Sequence, residues 1–313
     1  MRSQVFQEPR AKTGTAGPPG PRVRVGTTGT VPADTRPPCV RRAVFLRSYN
    51  ITRRPGAVAP AEQRGSTVTD TRTILITGGA GGIGRGIAEA FLAAGDRVVL
   101  ADRDADAVAA VAVGLGPGAS AIALDITDEA AVAAAVEEVA ADHGTIDVLV
   151  NNAGILSLHG ALTELSAADY ETIVRVNILG TFTVTQAVAR HMTATGTRGA
   201  IVNISSIGGR QPTPGMGAYE SSKAAVDSLT RWAAIELAGA GIRVNAVAPG
   251  PVLTPMLRAG MPEGSPERAA WSSRIPLGRL AEVEDVAPAV VFLAGAEHIT
   301  GVSLPVDGGQ LLA

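Results

Sequence analysis

The chain has 313 residues, 46% of them apolar and only 3% aromatic, with a formal net charge of -2. That length suits one large domain or two small ones, and the aliphatic bias suits a parallel sheet buried on both faces. The charge balance leaves no nucleic-acid footprint, no apolar run is long enough for a membrane span, and a single cysteine, Cys39, excludes an intrachain disulfide framework or a cysteine-rich metal site. No metal is expected. The cysteine usage fits a reducing compartment, Met1–Arg10 lacks the apolar centre of a secretory signal, and a cytoplasmic location is expected.

The charge is unevenly divided. Residues 1–72 carry 13 Lys and Arg against 4 Asp and Glu, and the remainder carries 14 against 25. Residues 1–70 are rich in Pro, Gly, Arg and Thr, and a stretch such as Gly17-Pro18-Pro19-Gly20-Pro21 holds neither a helix nor a central strand. This segment is expected to be a disordered or loosely attached extension, with the natural start nearer Val68. Its Arg-rich, acid-poor character makes a transit peptide or a basic binding arm the alternatives.

From Thr73 the pattern changes. Thr73–Thr77 reads as a buried strand, followed by a glycine turn and a helix over Gly84–Ala94. Strands are expected at Arg97–Ala101, Ala119–Leu124, Ile146–Val150, Ala200–Ile204, Arg243–Ala248 and Val302–Val306. Helices are expected over Ala105–Val113, Glu129–Ala141, Ser221–Ala238 and Glu284–Leu293. Strands alternating with helices imply right-handed crossovers and one parallel sheet. Residues 73–313 are therefore expected to form a single α/β domain, a doubly wound parallel sheet of the Rossmann type.

The first strand runs into Thr77-Gly78-Gly79-Ala80-Gly81-Gly82-Ile83-Gly84. Glycines here let a pyrophosphate approach the backbone, and the following helix offers free N–H groups and a positive dipole end. Two spacings fit: Gly79-x-Gly81-x-x-Gly84 and Thr77-Gly78-x-x-x-Gly82-x-Gly84. Asp102 closes the second strand, 18 residues after Gly84. A carboxylate there can accept from both hydroxyls of an adenosine ribose and repels a 2′-phosphate, which favours NAD over NADP. Arg103 beside it is the residue that can hold such a phosphate. Asp102 can equally cap the helix that follows.

Tyr219 and Lys223 stand four apart, on one face of a helix. A phenol is a poor base at neutral pH, and a fixed ammonium nearby lowers its pKa, so the pair is expected to form a usable acid/base. Ser206 lies thirteen residues before Tyr219, just past the fifth strand, where the carboxyl ends of strands form a ligand crevice. Its hydroxyl can donate to a substrate oxygen as charge develops there. Ser205 is the competing candidate, since only one of two successive side chains faces the crevice.

Taken together, TGGAGGIG at Thr77–Gly84, Asp125, Asn151-Asn152-Ala153-Gly154, Asn177, Ser206, Tyr219 with Lys223, and Pro249-Gly250 followed by Thr254 resemble the short-chain dehydrogenase/reductase family over essentially all of 73–313. The resemblance implies catalytic roles. Tyr219 would exchange the proton with the substrate oxygen. Lys223 would bind the nicotinamide ribose and lower the tyrosine pKa. Ser206, selected over Ser205 by its distance from the tyrosine, would orient the substrate. Asn177, in a long helix between the fourth and fifth strands, would hold a water that relays protons. It also implies a cofactor site. Thr77, Gly78, Gly82, Ile83 and Gly84 would form the phosphate turn, and Asp125 with Ile126 would lie at the adenine. Asn151, Asn152, Ala153 and Gly154 would close the turn after the fourth strand. Pro249, Gly250, Val252 and Thr254 would lie at the nicotinamide.

Two features depart from the pattern or stand beside it. Glu220 puts a carboxylate next to the tyrosine where a small residue is more usual, and its helical position allows it to face solvent. His159 follows the fourth strand on the crevice side, as a surface residue or a substrate contact.

The expected function is hydride transfer between NAD(H) and a secondary alcohol or ketone. The alternatives are an NADPH-dependent 3-oxoacyl-thioester reductase and a non-catalytic nucleotide-binding regulator. Substrate choice would fall to the loop after Gly154, to Gly208–Met216 and to Leu253–Ile275, where Met256, Leu257, Met261 and Trp271 suit a partly apolar lid with Gly260 and Gly264 as flex points. The resemblance further implies a homodimer or homotetramer built on the helices carrying Asn177 and Tyr219 and on the last strand.

Overall fold

The computed structural model describes residues 71–156 and 158–313; the expectations for residues 1–70, Cys39 included, lie outside the described residues. The described chain forms seven parallel strands in the order β3-β2-β1-β4-β5-β6-β7. They are β1 (Thr73–Thr77), β2 (Arg97–Asp102), β3 (Ala119–Ala123), β4 (Val148–Asn151), β5 (Ala200–Ile204), β6 (Arg243–Pro249) and β7 (Ser303–Val306). The helices are α1 (Gly82–Ala93), α2 (Ala105–Leu115), α3 (Glu129–His143), α4 (Ala167–Val174), α5 (Thr181–Thr195), α6 (Gly217–Leu237), α7 (Pro255–Gly260), α8 (Pro266–Ser272) and α9 (Val283–Gly295).

Alternation along the strands builds two apolar layers. Ile74 and Ile76 of β1 join Val98, Leu100, Val148, Val150 and Val202 on one face, against Ile87 and Phe91 of α1 and Val286 and Val290 of α9. Leu75 joins Val99, Leu149, Ile201 and Val244 on the other, against Val132 and Val136 of α3 and Val184, Val188 and Met192 of α5. Strand residues buried on both faces explain why the strands read as unbroken aliphatic runs. Each fully buried side chain of this kind stabilises by about 1.5–3 kcal/mol. Pro305 has no N–H for a ladder and lies in β7, the edge strand, which pairs only with β6.

The strand order reverses between β1 and β4, which sit side by side, so the connections after them lead to opposite halves of the sheet. Such a switch point opens a crevice at the carboxyl ends of the strands. The α2 cap expected of Asp102 belongs to Asp104, whose carboxylate accepts from Ala107 N at 3.0 Å. Helix α6 begins at Gly217, four residues before the expected Ser221, so Tyr219 lies in its first turn. The long helix expected around Asn177 is α4 and α5 joined through a π-helical turn, Arg175–Gly180. Such widened turns occur frequently at functional sites.

Candidate active site

A cavity of about 960 Å³ opens above the carboxyl ends of β1, β4, β5 and β6. Its walls include Gly78, Ile83, Asp102, Arg103, Asp125, Ile126, Ala153, Gly154, Ser206, Tyr219, Pro249, Gly250, Val252 and Thr254. Thr77, Gly82, Gly84, Asn152, Asn177 and Lys223 lie behind this lining and hold it in place.

At one end the glycine turn is sterically committed. Gly78 has φ +67°, and a Cβ there would lie 2.8 Å from Ala153 Cα. A Cβ on Gly84 would lie 2.3 Å from Gly78 O, whereas one on Gly81 would meet only that oxygen, at 3.4 Å. The packing therefore selects the spacing Thr77-Gly78-x-x-x-Gly82-x-Gly84 over the one that uses Gly81. Thr77 Oγ1 accepts from the N–H groups of Asn152 and Ala153 at 3.1 and 3.2 Å, and Asn152 Nδ2 donates to Thr77 O and Gly78 O. The turns after β1 and β4 are thus bound into one unit. No side chain caps α1 and its first turn has no acidic residue, so its N-terminal N–H groups and dipole are left for an anion. The turn's close backbone approach and the helix end together fit the phosphates of a dinucleotide.

Asp102 Oδ2 accepts from Ala80 N at 3.1 Å and its Oδ1 from Asp104 N at 3.2 Å, which fixes the carboxylate at the cavity edge beside exposed Arg103. Asp125 is held below the usual carboxylate range by the backbone N–H and hydroxyl of Thr127, with Arg103 and Arg175 adding to the effect.

At the other end, Tyr219 and Ser206 both line the cavity, and the serine hydroxyl is near enough to the phenol to lower its pKa. Ser206 Oγ accepts from Gly208 N at 3.1 Å, while Ser205 is 2% exposed and donates to Lys223 O at 3.2 Å. Ser206 is therefore the serine facing the cavity. Lys223 Nζ donates to Ile204 O at 2.8 Å and lies 5.5 Å from the centre of the Tyr219 ring. Burial lowers its pKa to about 8, partly countered by Asp227.

The pair does not behave as the sequence leads one to expect. Burial pushes the Tyr219 phenol above its ordinary pKa, the nearby Ser206 hydroxyl pulls it down, and Glu220 pushes it up again. The reason is geometric: the lysine ammonium is directed at a backbone carbonyl and is itself poorly solvated. Glu220 also departs from expectation. It is 7% exposed, and both its carboxylate oxygens accept from Thr213 N, at 2.8 and 2.9 Å. A Cβ on Gly208 would lie 2.9 Å from Glu220 Cγ, so the glycine makes room for it.

Asn177 is 1% exposed. Its Oδ1 accepts from Ile155 N at 2.8 Å, and its Nδ2 donates to Ile155 O and to Ser222 Oγ, both at 3.0 Å. Gly154, Asn177 and Lys223 meet closely, since a Cβ on Gly154 would lie 3.2 Å from Asn177 Oδ1 and 3.5 Å from Lys223 Nζ. His159 is exposed and lies at the cavity rim. Met256, Leu257, Met261 and Trp271 all line the cavity, as expected of the segment after β6.

Sequence reasoning missed the polar layer beneath this lining. Asn151 Nδ2 donates to Thr185 Oγ1 and Asn203 Oδ1, and Asn203 Nδ2 donates to Thr230 Oγ1, joining β4, β5, α5 and α6. The signal was present: Asn151 and Asn203 are amides in otherwise apolar strands. It also missed Gln310 in the lining, while Gln211 and Thr213 were reached only as part of the segment Gly208–Met216. Among the described residues no helix is long and apolar enough to cross a membrane, and no cluster of His, Cys, Asp and Glu is placed to hold a metal.

Comparison with known proteins agrees with this geometry. A family model described as enoyl-(acyl carrier protein) reductase matches residues 78–310. The cis-4-hydroxycyclohexanecarboxylate dehydrogenase of Sinomonas cyclohexanicum is 42% identical over 242 residues, covering 76% of this chain and 96% of that protein. The crystal structure of a 3-ketoacyl-(acyl-carrier-protein) reductase from Brucella melitensis complexed with NADH superposes with a TM-score of 0.71 at 38% identity, covering 76% of this chain and 98% of that one. ElxO with NADP bound gives a TM-score of 0.73 at 38% identity, covering 78% of this chain and all of that one. The chain belongs to the short-chain dehydrogenase/reductase family and is an NAD(P)-dependent oxidoreductase acting on a CH–OH group.

Proposed function

We propose that residues 73–313 are the catalytic unit and that it oxidises a secondary alcohol to a ketone with NAD, Tyr219 being the acid/base. The observation that carries this reading is the grouping of half-buried Tyr219 and Ser206 with buried Lys223 at the end of a cavity whose other end is a phosphate turn. When bound, the nicotinamide supplies the hydride acceptor or donor. Tyr219 Oη takes the proton from the alcohol oxygen in oxidation as the phenolate, its own proton having left by way of Lys223, and returns it as the phenol in reduction. Ser206 Oγ donates to that oxygen and stabilises charge developing on it. Lys223 positions the nicotinamide ribose and passes the proton onward, and Asn177 fixes the water beyond it. Thr77, Gly78, Gly82, Ile83 and Gly84 cradle the pyrophosphate. Asp125 and Ile126 border the adenine, while Asn152, Ala153 and Gly154 shape the floor. Pro249, Gly250, Val252 and Thr254 hold the carboxamide end.

Asp102 supports the choice of NAD. Its carboxylate is fixed at the cavity edge where an adenosine ribose would lie, and it would meet a 2′-phosphate with like charge. Arg103 favours the second reading, a 3-oxoacyl-thioester reductase using NADPH. A screen of secondary alcohols with NAD and with NADP, read by reduced-cofactor absorbance, separates the two. Oxidation with a clear preference in kcat/KM for NAD is expected, and a clear preference for NADP contradicts the reading.

The same reading makes the enzyme a cytoplasmic homo-oligomer. Supporting it, Phe182 of α5 and Trp232 of α6 stack at 6.1 Å on the surface, with Trp232, Leu179 and Ile235 each more than half exposed. A patch of this kind marks an association surface. Sedimentation of the purified protein checks it, with a dimer or tetramer expected and a monomer contradicting.

A further inference from the structure

Asp227 is a buried carboxylate with no part in the proton transfer described above. It is 5% exposed, as is Lys223 four residues before it on α6, and Tyr219 lies four residues further back, so all three share one face of the helix. A buried charge is costly unless it is paired. Asp227 is paired from two other elements. Its Oδ1 accepts from Ser303 Oγ, at the start of β7, at 2.8 Å. Its Oδ2 forms an ion pair with Nε and Nη2 of Arg210, both at 3.5 Å. Arg210 in turn donates to Ser303 O at 2.9 Å, which closes the triangle.

Arg210 ends the short helical turn Ile207–Gly209, and Ser206 begins it, with Ser206 Oγ accepting from Gly208 N and Ser206 O from Gly209 N. That turn lies hard against α6 at Lys223. A Cβ on Gly209 would lie 2.9 Å from Ala224 N and 3.0 Å from Lys223 C, and Ser205 Oγ donates to Lys223 O. The Arg210–Asp227 pair fastens the same turn one helical turn further along α6. Ser206 is thus held against the Tyr219–Lys223 pair by contacts on both sides of it. Asp227 is the point where α6, the serine turn and β7 meet.

Its charge also matters to Lys223. The ammonium donates to a backbone carbonyl, Ile204 O, and burial lowers its pKa to about 8. Among the described residues Asp227 is the charge that opposes this fall. Glu220, on the same helix, is turned to Thr213 N, and Arg210 reaches Asp227 from the serine turn. The π-helical turn and the loop after β4 bring Asn177 and Gly154, and β7 brings Ser303, none of them charged. The other elements packed on α6, among them β6, α4 and α5, add no charge at Lys223. A neutral amine could not favour a phenolate at Tyr219, so the counter-charge bears on the acid/base itself.

We propose that Asp227 is a positioning residue of this site: its carboxylate supplies the counter-charge to the buried Lys223 ammonium and, through Arg210, seats the turn that carries Ser206. Its role in turnover rests on the oxidoreductase reading above, but its effect on Lys223 can be measured without a substrate, because the chain has only two lysines, Lys12 and Lys223. In protein carrying isotope-labelled lysine, the NMR signal missing from Lys223→Met belongs to Lys223, and its change with pH titrates the ammonium. The wild type should titrate near pH 8. Asp227→Asn keeps the shape and an acceptor for Ser303, and should titrate at least about half a pH unit lower, with kcat on the alkaline limb falling about threefold alongside the charged fraction. Arg210→Met leaves the carboxylate and removes its cation, so Lys223 should titrate at the wild-type pH or above, while KM rises about fivefold as the serine turn loosens. A titration unchanged in Asp227→Asn, or lowered equally in both variants, overturns the proposal, since general loosening of the fold would move both alike. An unchanged KM in Arg210→Met overturns the seating of Ser206. Should Asp227→Asn fail to fold, Arg210→Met decides alone, and a lowered titration there contradicts the counter-charge. If no alcohol is oxidised with either cofactor, it is the oxidoreductase reading that fails, and the lysine titration still decides the role of Asp227.

Discussion

Glu220 accepts twice from a single donor, the backbone N–H of Thr213, and so ties the first turn of α6 to the loop that forms one wall of the cavity. The residue next to Tyr219, the proposed acid/base, is thereby coupled to the cavity wall. Its charge and its hydrogen bonds make separable contributions. Glu220→Ala removes both, freeing the loop and raising KM by about five- to tenfold, the loss of roughly 1–1.4 kcal/mol expected for one hydrogen bond. Glu220→Gln keeps an acceptor and should hold KM within about twofold. Both variants remove the charge that pushes Tyr219 upward, so the limb of the pH–rate profile that reports the tyrosine should move to lower pH in both. Equal KM in the two variants would show that the bonds to Thr213 do not hold the wall.

The glycine turn makes a sharper steric prediction. A methyl group on Gly84 collides with Gly78 O at 2.3 Å, whereas one on Gly81 finds room. Gly84→Ala should therefore raise the Kd for NADH by about tenfold or more, a cost of at least about 1.4 kcal/mol. Gly81→Ala should leave it nearly unchanged. Quenching or enhancement of NADH fluorescence measures both.

Lys223, the proposed partner of Tyr219, is placed at a cost to stability. Burial lowers its pKa to about 8 from an ordinary 10.5. Between those values the unfolded chain binds the proton and the folded chain does not, so stability rises with pH across that window. The penalty is fully present below about pH 8 and relieved toward 10.5. Lys223→Met should lose turnover yet melt at least as high as the wild type at pH 7. The difference in Tm should shrink between pH 8 and 10.5, and a difference independent of pH would contradict the burial explanation.

Asp285 works in the opposite direction, far from the chemistry. Arg279 donates to it through two nitrogens at 2.6 and 2.8 Å, and Glu282 N donates to it at 2.7 Å, closing the capping box at the start of α9. Led by the Arg279 bonds, these partners hold its pKa at about 2, below the ordinary 3.8. The depressed value means the contribution is complete above about pH 4 and is lost as pH falls to about 2. Asp285→Asn should lower Tm at pH 7, and the gap to the wild type should close over that acid range. The pair is solvent-exposed enough for the gap to be small and to narrow in salt.

Much of the fold was legible because the central strands are largely aliphatic on both faces and many turns are marked by glycine or aspartate. The glycine turn, Ser206, Tyr219 and Lys223 were legible for the same reason: their chemistry depends on short spacings within one element or at one strand end. What spacing could not carry was direction. Lys223 is four residues from Tyr219, but its ammonium is turned to Ile204 O, and burial is the main influence on the phenol. Glu220 sits on a helix that has a solvent face, yet a tertiary partner, Thr213 N, turns it inward. The π-helical turn at Asn177 leaves no periodicity signal over six residues. Gln310 lies near the chain end, and tertiary packing of the Asp307–Gly309 turn, with Gly308 against Ile275, brings it to the cavity.

Replacing Tyr219 by Phe removes one oxygen atom and leaves the ring in its place, so it addresses the proton transfer with little else disturbed. NADH binding by the variant should match the wild type, while kcat for alcohol oxidation falls by at least about a thousandfold, the scale set by loss of a positioned acid/base. Turnover persisting within about tenfold of the wild type, with cofactor affinity intact, would contradict the assignment of Tyr219 as the group that takes the proton.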